Sequence, residues 1–121
     1  MRIESIEWIS REAEEAEVVV SDGRFFCRAF SQPCSLLVGQ ILKEALHVFS
    51  PKNIMLSTTE EQSIELQVNG GLAHRVIATI EELKSKRLIV GKIELILDDY
   101  IPGGIQSGDI IEFECARIDI W

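Results

Sequence analysis

The chain has 121 residues, 46% hydrophobic and 26% charged, with a formal net charge of −8 and a pI near 4.7. That length makes one domain, residues 1–121, able to bury roughly two-thirds of the surface its unfolded chain exposes, and the composition excludes a disordered chain, which would lack the apolar surface to offset its ordering entropy. The acidic balance weighs against nucleic acid as a partner, because binding a phosphate backbone exchanges counterions for Lys and Arg.

The opening MRIESIEWIS interleaves acids with apolar residues, so it lacks the apolar core of a secretory signal, and no run approaches the ~18 residues of a membrane span. A cytoplasmic protein without a membrane partner is expected. REAEEAE, Arg11 to Glu17, then places Glu12, Glu14 and Glu15 between two strands. In AEVVVSDGRFFCRAF, Asp22-Gly23 separates a β-branched run from an aromatic one, and such a pair suits a type I′ hairpin turn. A hairpin from about Glu17 to Phe30 follows.

The next segment is ambiguous. In SLLVGQILKEALHVF, Ser35 to Phe49, the residues Leu37, Val38, Ile41, Leu42, Ala45, Leu46 and Phe49 recur at helical spacing, yet Gly39 interrupts them. Further on, SIELQVNGGLAHRVIATI alternates on both sides of Asn69-Gly70 and predicts a second hairpin. KSKR turns the chain into RLIV, and Gly91-Lys92, with Gly at the first loop position of a type II′ turn, sends it back into IELIL. The last stretch, DDYIPGGIQSGDIIEFE, ends in a cleanly alternating strand.

That last stretch overlays the ambiguous one without a gap. Pro33 falls on Pro102, Leu36 on Ile105, Gly39 on Gly108, Ile41 on Ile110 and Leu42 on Ile111, while the Asp22-Gly23 turn falls on Gly91-Lys92. An internal duplication of hairpin, Pro loop, Gly and strand is therefore expected, with Gln40 to Val48 as strand and helix as the alternative. VVVSDGRFFCRAF, followed by a loop and VGQIL, resembles the middle of an OB-type barrel. The resemblance implies one all-β small barrel, built mainly of antiparallel hairpins, with at most short helical turns. Double-psi and SH3-like barrels share the same strand, turn, strand grammar. OB folds bind oligonucleotides and oligosaccharides on one sheet face, a property of the site and not of the fold.

Three cysteines, Cys27, Cys34 and Cys115, make an odd count without paired spacing, as in a reduced compartment. Cys27 and Cys115 lie in strand patterns and read as core, while Cys34 follows Pro33 in an exposed turn. No phosphate loop, GxSxG, HExxH or paired CxxC is present, and no cofactor is implied. The leading expectation is a non-catalytic, immunity- or adaptor-like module that binds a basic protein through Glu12, Glu14, Glu15, Asp98, Asp99 and Tyr100, since clustered carboxylates steer association and an aromatic anchors it. The alternative is a small-ligand or metal-dependent enzyme in which His47 and His74 meet Asp98 and Asp99. A weaker alternative is nucleic-acid binding through Lys84, Lys86, Arg87 and Lys92 at two hairpin tips.

Overall fold

The computed structural model describes residues 1–68 and 71–121. Runs of β-branched and aromatic residues alternating with polar ones form nine strands, and no helix occurs among the described residues. The strands are β1 (Arg2–Ser10), β2 (Glu15–Ser21), β3 (Phe26–Ser31), β4 (Leu46–Leu56), β5 (Ser63–Leu66), β6 (His74–Glu82), β7 (Arg87–Val90), β8 (Ile93–Leu97) and β9 (Ile110–Ile120). In the order β9-β4-β8-β7-β6, with β6 returning to β9, five of them close a small barrel. It is mixed, because β4 runs parallel to β8 while its other pairings are antiparallel. The β1-β2-β3 meander joins through β3, parallel to β9 at Phe30↔Asp119 and Ser31↔Ile120, and β5 extends β6.

Alternation puts one face of each strand into a single buried cluster. Val18 and Val20, Val76 and Ile80, Leu88, Leu95, Ile111 and Phe113 are among its members. The phase slips by one residue near Ser50 on β4 and Ala116 on β9: inward positions run Leu46, Val48, Pro51 on one strand and Phe113, Cys115, Ile118 on the other. Ser50 takes a left-handed φ of 55° at that point. Beyond the slip, β4 and β9 present His47, Phe49, Arg117 and Asp119 on a shared outer face.

The duplication is visible in hydrogen bonds. The Gly39 N–H donates to Ile3 O at 2.8 Å, and the Gly108 N–H donates to Ile80 O at 2.8 Å. Ile3 N–H returns to Gln40 O at 2.9 Å, as Ile80 N–H does to Asp109 O at 2.8 Å. Even the side chains correspond: Gln40 Oε1 accepts from Leu37 N–H at 3.0 Å and Asp109 Oδ2 from Gln106 N–H at 2.8 Å. Both glycines have positive φ, 89° and 92°, which a Cβ disfavours.

Several expectations need correction. Gln40 to Val48 is not a strand throughout, nor is it a helix: after a lone bridge of Ile41 to Arg2, the strand starts at Leu46. The counterpart β9 starts at once because β6 reaches six residues ahead of Ile80 and pairs with it from Thr79↔Ile110 to His74↔Cys115, whereas β1 begins one residue ahead of Ile3. The Asp22 turn is not type I′, since only Gly23 has positive φ and four residues separate the paired Ser21 and Phe26. Asp22 Oδ1 instead gathers the N–H groups of Arg24 at 2.8 Å and Phe25 at 2.7 Å. Cys34 is buried rather than exposed, its N–H donating to Glu14 O at 2.8 Å. The Asn69-Gly70 turn lies outside the described residues.

Candidate functional site

Cross-strand pairing builds the outer face of the sheet row by row. Glu7 opposes Glu17, Glu17 opposes Phe30, Phe30 opposes Asp119 and Asp119 opposes His47, so one row crosses β1, β2, β3, β9 and β4. In the next row Phe49 opposes Arg117. The Arg117 guanidinium lies 4.6 Å from the centroid of Phe30 and 4.9 Å from that of Phe49, and it grips both oxygens of Asp119, at 2.6 Å and 3.1 Å. A planar cation between two rings gains from their negative faces, and the two-point carboxylate contact fixes its orientation.

Next to it, His47 stacks on Trp121, with centroids 3.5 Å apart and planes 6° from parallel. Partial burial lowers the His47 pKa, opposed by the nearby charges of Asp98 and Asp119. Trp121 stays 78% exposed and Phe49 51% exposed. On the far side Arg28 pairs with Glu17 at 2.7 Å and Glu7 at 3.2 Å. The face thus carries Glu7, Glu17, Asp98 and Asp119 against two guanidinium groups, both already occupied.

The acids expected to form one surface are divided. Glu12 and Glu14 are exposed in the β1–β2 turn and Glu15 opens β2, while Asp98, Asp99 and Tyr100 follow β8. Between β2 and β8 lie four interstrand steps, roughly 19 Å at about 4.8 Å each, occupied by the Phe30, Arg117, His47 and Phe49 seam. Asp98 borders that seam, and Tyr100 is 73% exposed. No local pattern in the sequence links His47, Phe49, Arg117, Asp119 and Trp121. What joins them is the long-range β4–β9 pairing.

The two histidines do not meet. His47 opposes Asp119 on one edge of β9, whereas His74 opposes Cys115 on the other edge, a displacement of four residues or roughly 13 Å along the strand. His74 is fully buried and its ring is consumed by scaffold contacts: Nδ1 donates to Leu72 O at 2.9 Å and Nε2 accepts from Arg28 N–H at 3.2 Å. Among the described residues no group of three or more His, Cys, Asp and Glu side chains stands together as a metal site. The basic cluster is also split. Lys84 and Lys86 lie in the β6–β7 turn and Lys92 in the β7–β8 turn at the opposite end of β7, while Arg87 is held by Glu94 at 3.2 Å.

The class that fold and site define is a small all-β barrel bearing an aromatic and ionic sheet face. No helix long and apolar enough to cross a membrane is present among the described residues. Comparison with protein-family models, with curated proteins and with solved structures finds no match.

Proposed function

We propose that the chain is a non-catalytic interaction module whose outer β3-β9-β4 face binds a partner protein carrying basic groups. The carrying observation is the ordering of Arg117 between Phe30 and Phe49 while Phe49 and Trp121 remain exposed. Side chains already held in place lose little entropy on association, and Trp and Arg are enriched among the residues that dominate binding energy. Acids flanking such anchors raise the rate of encounter with a basic surface.

The test is capture from lysate by the wild-type chain and by a Phe49→Ala, Trp121→Ala double variant. Wild type should retain a basic protein that the double variant loses, with thermal midpoints close together because both residues are largely exposed. Equal capture by both chains would remove this face from consideration.

A further inference from the structure

The edge of β9 changes partner between Cys115 and Asp119. Up to Cys115 it is paired with β6, and from Asp119 onward with β3. β3 must therefore splay away from β9 as it runs back toward Phe26, because the start of β6 occupies the place it would take. The Arg28 N–H, which would otherwise seek a ladder partner across that splay, donates to His74 Nε2 at 3.2 Å instead. The other ring nitrogen gives its hydrogen to Leu72 O at 2.9 Å. A carbonyl can only accept and a backbone N–H can only donate, so these two partners fix the neutral tautomer with hydrogen on Nδ1.

A cleft of about 300 Å³ lies over this contact, lined by Val19, Phe26 and Cys27 on one side and Ile64 and Leu66 on the other. It separates β3 from β5, whose free edges face each other without a shared ladder. Beside the cleft the His74 ring, at the start of β6, ties β3 to β6. We propose that His74 is an acid-released latch: when Nε2 takes up a proton it becomes a donor facing the Arg28 N–H, the bond is lost, and β3 lifts from the start of β6.

Among the described residues no ion pair to the His74 ring offsets this. Arg28 directs its guanidinium to Glu17 and Glu7 on the outer face, and the β3 and β9 thiols nearest the ring stay protonated, burial pushing Cys27 up to about 12 and Cys115 up to about 11. Glu65 on β5 borders the cleft, and Glu114 on β9 and Lys52 on β4 border the groove on the other side of His74. Glu114 is turned toward Lys52 at 3.8 Å. Burial lowers the His74 pKa, with the Leu72 bond opposing it. Because the folded value is depressed, the bond contributes its full stability above the ordinary value of about 6.5 and breaks as pH falls through the lowered folded value.

Amide exchange read by NMR, corrected for the intrinsic effect of pH, tests the latch. As pH is lowered from about 7 through the range in which the buried His74 ring takes up its proton, Arg28 should lose on the order of tenfold protection while Val20, inside β2, keeps its own. His74→Gln offers a carbonyl to the same N–H without a titrating ring, so its Arg28 protection should not change with pH. Ring nitrogen shifts of the wild type report the proton directly. The proposal is overturned if His74 titrates while Arg28 protection stays constant, if His74 stays neutral throughout, or if Arg28 and Val20 lose protection together.

Discussion

Asp22 and Lys92 stand 70 residues apart in sequence, and Asp22 Oδ2 accepts the backbone N–H of Lys92 at 2.7 Å. The carboxylate therefore closes its own turn through Oδ1 and clamps the equivalent turn of the second copy through Oδ2. Desolvation pushes the Asp22 pKa up, but the N–H groups of Lys92, Phe25 and Arg24 outweigh it and hold the value below its ordinary 3.8. Asp22→Ala should cost about 2 kcal/mol, since hydrogen bonds to a charged acceptor contribute roughly 1.5–3 kcal/mol each and part of the loss is recovered by water. Urea unfolding measures it. Because the folded pKa is depressed, the advantage of wild type over the alanine variant should be full above about pH 4 and shrink as pH falls through 3.8 toward the folded value. A difference that persists unchanged into strong acid would sink the charge-based account.

Gly91 makes the clamp possible. Its φ is 60°, and an added Cβ would lie 2.5 Å from Asp22 Oδ2 and 2.7 Å from the Phe25 ring. Gly39 and Gly108 also have positive φ, but a Cβ at either would meet nothing within 4 Å. Gly39→Ala and Gly108→Ala should therefore cost only the backbone strain, about 1–2 kcal/mol, and Gly91→Ala more than either, because the two turns must also separate. Thermal or urea midpoints of the three variants rank them directly. Equal losses at all three would mean that the turns are not held together in solution.

The same contrast shows what could be read in advance. The second hairpin, the Gly91-Lys92 turn and the clean alternation of Ile110 to Cys115 are local patterns, and local periodicity is enough to find them. The 69-residue offset between Gly39 and Gly108 was equally legible, and the structure reproduces it down to side-chain hydrogen bonds. The second half of β4 was not. Ser50-Pro51-Lys52-Asn53 reads as a turn, yet the strand passes through it with Ser50 and Asn53 both at positive φ, and Pro51 buried opposite Cys115. The pairing with β9 keeps it extended, and that partner lies between 55 residues (Leu56 to Ile111) and 64 residues (Pro51 to Cys115) away. The seam at Arg117 depends on the same long-range pairing, whereas the acids cluster in sequence.

Asp98 and Asp99 provide the test that separates steering from anchoring on the outer face. Asp98 lies close enough to His47 to oppose the lowering of its pKa, and both acids are exposed at the end of β8. Reversing the pair to Lys should slow association with a basic partner and leave dissociation nearly unchanged, because rim charges act chiefly on the encounter. Phe49→Ala with Trp121→Ala should do the opposite, speeding dissociation by removing buried anchors. Raising salt should erase much of the difference between wild type and the reversed variant, since charges farther apart than about 8 Å are largely screened at physiological ionic strength. Stability should move by no more than about 0.5 kcal/mol in the reversed variant. Surface-based binding kinetics with the captured partner reads both rates. If charge reversal changed dissociation as strongly as loss of the aromatics, Asp98 and Asp99 would belong to the contact itself, and the divided arrangement of acid rim and aromatic seam would be wrong.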